Sequence, residues 1–157
     1  KANSFSIPRI SQLTLKTNQF NLTTKRYQEE EISSLSLASD KIIECVEVVD
    51  KFGDNGITGV YIVDKNSDEE WIIDTFLLSC RIMGRGVEET MLSQIIQKAK
   101  ATGVKRIKGK FIPTTKNKPA ENFYKSYEFK KIGEYWVFDM EQNIEVPTHI
   151  KLRRYDD

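Results

Sequence analysis

The residues with the clearest chemical potential lie between Phe76 and Leu92. Arg81-x-x-Gly84-x-Gly86 falls between an apolar run of strand length, Ile72–Leu78, and a stretch with helical periodicity. Glycines let a backbone approach a ligand closely, and the unpaired N–H groups that open a helix favour an anion. The loop reads as a cradle for phosphate or pyrophosphate. On the motif alone, the alternative is a tight turn that holds nothing. Cys80 stands immediately before Arg81. A neighbouring cation and a helix start favour thiolate, and thiolate is the nucleophile. The alternative for Cys80 is a small buried hydrophobe, the commonest state of a free cysteine. Cys45, in mid-strand among valines, reads as core.

To present that loop, the chain needs a strand ending near Leu78 and a helix opening at Gly86. Val87, Met91, Leu92, Ile95, Ile96 and Ala99 recur at helical spacing. Glu88 and Glu89 in the first turn, and Lys98 and Lys100 near the last, suit the helix dipole. Gly103 is the expected terminator. Upstream, Pro8–Thr17 predicts a helix with Pro8 in its first turn. Asn18–Thr24 is an amide-rich link, either extended or a capped turn. Gln28–Leu35 predicts a second short helix with acids at its start. Lys41–Asp50, Ile57–Val63 and Trp71–Leu78 predict an antiparallel meander, turning at Phe52–Gly56 and at the solvated loop Asp64–Glu70. Downstream, Lys105–Ile112 alternates as a strand ended by Pro113. Its lysines form either a polar outer face or part of an anion-binding rim. Asn117–Tyr127 predicts a helix, and Phe129–Met140 two short strands around Gly133 and Glu134. The tail from Glu141 carries no clear signal. This order is α/β, with a mixed sheet.

Composition narrows the function. A chain of 157 residues is enough for one domain with a real core. The 24 basic and 23 acidic residues nearly cancel, so net charge gives no case for nucleic acid or a membrane surface. No apolar run is long enough to cross a bilayer and no secretory signal is present, so the cytoplasm is the expected location. Two cysteines without metal-ligand spacing read as free thiols in a reducing compartment. His149 is the single histidine, which excludes a mechanism needing several and any histidine-rich metal site. No metal is expected.

The glycine loop resembles the acyl-CoA pyrophosphate loop of the GNAT acyltransferase superfamily, where Arg or Gln-x-x-Gly-x-Gly or Ala follows a strand and opens a helix. Arg81, Gly84 and Gly86 occupy every defined place. The resemblance implies a mixed, mostly antiparallel sheet flanked by helices. It also implies a CoA or phosphopantetheine thioester held around Leu78, Arg81, Ile82, Met83, Gly84, Arg85, Gly86 and Val87. The stretch Asn117-x-x-Ala120-x-x-Phe123-Tyr124-x-x-x-Glu128-Phe129 resembles the second GNAT landmark. By that resemblance, Asn117 and Ala120 contact the CoA arm, and Tyr124 is the general acid for the departing thiolate. The alternative for Tyr124 is a core aromatic with a satisfied hydroxyl. The family closes this stretch with Gly-Phe, whereas this chain has Glu128-Phe129.

Four separated stretches, Arg9–Thr14, Thr17–Tyr27, Phe52–Gly56 and Ile73–Gly86, resemble the C-terminal portion of FkbH-like proteins. In those proteins a HAD-type phosphatase domain precedes a GNAT-like domain. They are linked to moving a glyceryl unit from a phosphoglyceryl donor to the phosphopantetheine thiol of an acyl carrier protein, for methoxymalonyl or glycerate-derived polyketide building blocks. This chain has no Asp-x-Asp nucleophile motif of the HAD type, so it reads as a single GNAT-like domain cut from a longer parent. The resemblance implies an acyl carrier protein and the parent's HAD-type domain as partners. Within it, Cys80 becomes a candidate carrier of a glyceryl thioester. Asp54, with Asn55, Asn18 and Asn21, is a candidate for orienting the glyceryl hydroxyls, although turn formation explains Asp54 and Asn55 equally well. Asp74 either faces the cleft or pairs with a surface lysine. Two rival functions stand beside glyceryl transfer: an acetyl-CoA-dependent N-acetyltransferase, and a non-catalytic module that docks a carrier protein.

Overall fold

Alternating apolar residues and 3.6-residue periodicity resolve into four α-helices and seven strands in a computed structural model that describes residues 1–142 and 147–155. In chain order they are α1 (Ile7–Lys16), β1 (Phe20–Asn21), α2 (Glu29–Leu37), β2 (Lys41–Asp50), β3 (Gly53–Asp64), β4 (Glu70–Leu78), α3 (Val87–Thr102), β5 (Arg106–Gly109), α4 (Phe123–Ser126), β6 (Lys130–Ile132) and β7 (Tyr135–Asp139). Two 3₁₀ turns, Cys80–Ile82 and Lys118–Ala120, join them. The sheet runs β2-β3-β4-β5-β7-β6, with β1 paired to β4 off that path. Every pairing is antiparallel except β4 with β5. The expected mixed, mostly antiparallel α/β architecture is therefore what the chain adopts.

Successive strand residues face opposite sides, which divides the core in two. Tyr61, Val63, Phe76 and Leu78 pack with α3 and α4 on one face. Val60, Ile62 and Leu77 pack with Ile10 and Leu13 of α1 and Ile32 of α2 on the other. Helix α3 ends as its sequence requires: Gly103 adopts φ +81°, and its N–H caps the carbonyls of Ala99 and Lys100.

Three elements depart from expectation. The first hairpin is tighter, because pairing continues to Asp50↔Gly53 and brings Asp54 and Asn55 into β3. Strand β5 stops at Gly109; three residues later Ile112 N–H donates instead to Leu22 O. The helix expected over 117–127 is broken into a 3₁₀ turn and one turn of α4. Pro119 supplies no N–H to a continuous ladder, and Asn117 is held by tertiary bonds.

Two local features shape the middle of the sheet. Strands β4 and β5 pair only from Glu70↔Arg106 to Ile73↔Gly109. Past that point they part, and β1 fills the notch. Phe20 pairs with Leu78 and Asn21 with Leu77, while Leu22 N–H donates to Phe76 O at 3.2 Å. The Phe20 ring packs on Phe76 and Phe123, at centroid distances of 6.2 and 5.3 Å. The link that reads as extended or turn is both: Phe20–Asn21 is a strand built into the sheet, and the chain then turns, with Thr24 N–H donating to Asn21 Oδ1 at 2.9 Å. The second feature is a bulge on β4. Ile62 pairs with Thr75 and Val63 with Ile73, leaving Asp74 as the extra residue. Bulges re-aim side chains and occur disproportionately beside functional sites.

Candidate functional site

The glycine loop forms where β4 ends. Ile82 and Val87 are buried in the core and Met83 packs against it, so these three anchor the loop. Leu78 is fully buried in the strand that feeds it. Gly84 and Gly86 have φ of +75° and +86°, values that L side chains avoid, which accounts for glycine at both places. The first-turn N–H groups of α3 have no acceptor within the helix. One loop donor is already engaged: Gly84 N–H donates to the Glu88 carboxylate at 3.0 Å. The other Glu88 oxygen is buried without a partner. The cradle therefore carries a carboxylate from its own helix.

The two loop arginines are held by the β2–β3 hairpin. Arg85 pairs with Asp50 at 2.7 Å, and Arg81 Nη2 lies 3.4 Å from Asn55 O. The Arg85 guanidinium, with the Phe52 N–H, holds the Asp50 carboxyl below its ordinary pKa. On another side, His149 Nε2 sits 2.7 Å from Arg85 O, and its ring fills the space a side chain at Gly86 would need. Cys80, first residue of the 3₁₀ turn, is an exposed free thiol and not a core residue. Cys45 is half-buried, and burial pushes its thiol pKa up.

A second group of site residues lies at the notch. Asn117 is fully buried, and its amide is engaged on both sides. Nδ2 donates to Asn21 O at 3.0 Å and Ile112 O at 2.9 Å, and Oδ1 accepts from Thr114 N–H at 2.8 Å. Its side chain staples β1 to the segment after β5. Ala120 is buried beside it. Tyr124 is buried with a hydroxyl that has no partner, and burial raises its pKa far above the ordinary phenol value. That hydroxyl abuts Gly109, where an added Cβ would stand 2.2 Å from it. Gly109 pairs with Ile73, seven residues before Cys80. Tyr124 packs on Phe123 and Phe129, whereas Cys80 lies past the end of β4.

Asp54 lies at the exposed hairpin tip, where its carboxylate accepts the Gly56 N–H at 2.7 Å. Asn55 bonds Val48 O and Asp50, and Asn18 accepts from Arg26 at 2.6 Å. Asn21 is buried, donating to Thr17 O and accepting from Thr24 N–H. These four polar side chains do not converge.

Asp74 does sit in a cluster. Lys25 Nζ approaches it at 2.6 Å, Tyr27 Oη donates to it at 2.7 Å, and Thr75 Oγ1 is 2.9 Å away. Burial alone would raise its pKa, but these partners outweigh burial and hold it below the ordinary aspartate value. Asp74 thus both pairs with a lysine and lines a pocket, together with Thr23, Lys25, Lys110 and Tyr135. Sequence reading missed Lys25 and Tyr27. Each lies in a stretch that drew attention, but nothing local ties it to a strand nearly fifty residues on. Among the described residues, no His, Cys, Asp and Glu cluster could hold a metal, and no helix is long and apolar enough to cross a membrane.

No protein-family model matches the chain, and neither does any curated protein sequence. Solved structures do match. The ribosomal-protein-S18-alanine N-acetyltransferase of Escherichia coli superposes with a TM-score of 0.66 at 10% identity, covering 96% of each chain. The GNAT domain of S. lividans PAT gives 0.63 at 16% identity, covering 87% of this chain and 86% of that one. Rv2747 from Mycobacterium tuberculosis, solved in complex with CoA and NLQ, gives 0.61 at 14% identity, covering 83% and 70%. The fold is that of the GNAT acyltransferases.

Proposed function

We propose that this chain is an acyl-transfer domain working on a phosphopantetheine thioester, and that it passes a glyceryl unit through Cys80 to an acyl carrier protein. The observation that carries this reading is the exposure of the Cys80 thiol two residues past the end of β4, immediately before Arg81 of the glycine loop. In the first step the Cys80 thiolate attacks the carbonyl carbon of a phosphoglyceryl donor activated as an acyl phosphate. The carbonyl–oxygen bond breaks, the acyl phosphate leaves as inorganic phosphate, and a thioester remains; a phosphate ester on the glyceryl unit is then hydrolysed by the parent's HAD-type phosphatase domain. In the second step the phosphopantetheine thiolate attacks that thioester, and Cys80 leaves as thiolate. The closed notch favours exchange at the strand end: an arm laid along β4 would need backbone groups that β1 already occupies. The acceptor is a carrier protein or CoA, since both present the same arm. The parent's HAD-type domain is the proposed partner in the cytoplasm.

The N-acetyltransferase reading needs an amine and a base in the cleft. Asp74, held ionised by Lys25, Tyr27 and Thr75, is a weak base. The docking-module reading draws on two observations: β1 occupies the notch, and the Glu88 carboxylate takes one N–H of the cradle.

Intact-protein mass spectrometry separates the three. The full-length parent and its Cys80→Ala variant are incubated with the phosphoglyceryl donor. A glyceryl adduct released by hydroxylamine and absent from the variant is the expected result. No adduct with acetyl-CoA still bound turns the assignment to N-acetyl transfer. No adduct and no CoA binding leaves the docking module.

A further inference from the structure

The bulge that carries Asp74 opens a pocket of about 140 Å³ at the point where β4 and β5 part. Its walls are apolar on the Ile72, Ile73 and Ile112 sides, with the Tyr135 ring beside them. Its polar groups come from three stretches distant in sequence: Thr23 and Lys25 after β1, Asp74 on β4, and Lys110 just past β5. Lys25 and Asp74 neutralise each other at 2.6 Å. Lys110 stacks over Tyr135 at 4.8 Å, and its carboxylate neighbour, Glu134, is 3.5 Å away with a side chain 83% exposed. Water screens so exposed a pair strongly, so the pocket keeps positive character. Its size suits a small molecule, because a cavity of about 150 Å³ holds one benzene.

Asp74 has a specific place in this pocket. A carboxylate offers about four lone-pair sites. Lys25, Tyr27 and Thr75 use three of them. One acceptor site is left for a hydroxyl, while the ammonium groups of Lys25 and Lys110 keep N–H donors for an oxyanion.

We propose that this pocket binds a small hydroxylated acid, with its carboxylate or phosphate on Lys25 and Lys110 and a hydroxyl on Asp74. The proposal stands on the pocket and does not depend on chemistry at Cys80. Of the lysines in the β5 stretch, Lys105 pairs with Glu69 and Lys108 with Glu70, while Lys110, paired with the exposed Glu134, lines the cavity; Lys108 and Lys110 both approach the Tyr135 ring.

The test is titration of the ¹⁵N-labelled chain with glycerate, inorganic phosphate and glycerol, followed by backbone amide shifts. Either oxyanion should give saturable shifts centred on Ile72, Ile73, Asp74 and Ile112, and glycerol should give none. Lys110→Met and Lys25→Met should each weaken binding about tenfold or more. Lys125→Met, on the exposed face of α4, should leave binding unchanged. Lys110 does not touch Asp74, so its variant decides even if Lys25→Met disturbs the cluster. Saturation by glycerate alone assigns the site to a carboxylate, and saturation by phosphate alone to a phosphate. The proposal is overturned if neither oxyanion saturates, if glycerol shifts the same amides equally, or if Lys110→Met binds like the wild type.

Discussion

Replacing Asn117 tests the arrangement of the notch most directly. The side chain is fully buried and makes three hydrogen bonds, to Asn21 O, Ile112 O and Thr114 N–H. At about 1 kcal/mol net for each bond, Asn117→Ala should cost about 3 kcal/mol, and more if the orphaned carbonyls stay dry. For a chain of this length, that lowers the melting temperature by about 6–12 °C. Thermal and urea unfolding followed by circular dichroism give the number. Amide hydrogen exchange locates it: Leu22 and Ile112, whose N–H groups bond Phe76 O and Leu22 O, should lose protection first. Asn117→Asp is the companion variant. It keeps the acceptor for Thr114 and loses both donors, so its loss should equal or exceed that of alanine. A fall of less than about 2 °C in both variants refutes the staple. Unchanged stability with weakened CoA binding would return Asn117 to the arm-contacting role the GNAT resemblance implies.

The Tyr124 hydroxyl is buried without a partner, so Tyr124→Phe should raise stability by about 1 kcal/mol in urea melts; a loss of that size would mean the hydroxyl is satisfied. Glu128 sits at φ +67°, a left-handed value that favours glycine, so Glu128→Gly should stabilise by about 1 kcal/mol, and a destabilised variant would refute backbone strain there. Because the folded pKa of Asp74 is depressed, its contribution is fully present above the ordinary value of 3.8 and is lost as pH falls through the folded value. Urea midpoints of the wild type should therefore decline through the acid range, and Asp74→Asn should be less stable at neutral pH with a flatter acid decline; parallel curves would sink the assignment.

The legible parts of this fold are those whose information is local. Strand β2 matches its β-branched run from Lys41 to Asp50, and α3 follows its apolar spacing between Gly86 and Gly103. Gly84 and Gly86 adopt the positive φ their identity suggests, and Glu128 shows that the place after α4 does require it. The helix over 117–127 misled because propensity says nothing of where Asn117 finds its partners. Thr17–Tyr27 stood out as a stretch, but its role was not readable from spacing.

By itself the sequence determined the order of the elements apart from β1 and the broken helix over 117–127, the strand–loop–helix unit around Arg81, Gly84 and Gly86, and the presence of two thiols. Each of these follows from periodicity or residue type within a single turn or strand. Tertiary structure alone decided that β1 closes the notch, that Cys80 is exposed, and that Asp74 meets Lys25, Tyr27 and the Lys110 pocket. Those contacts join residues far apart in the chain, and they exist only once the sheet has set its register. Backbone pairing, which carries no side-chain signature, sets that register.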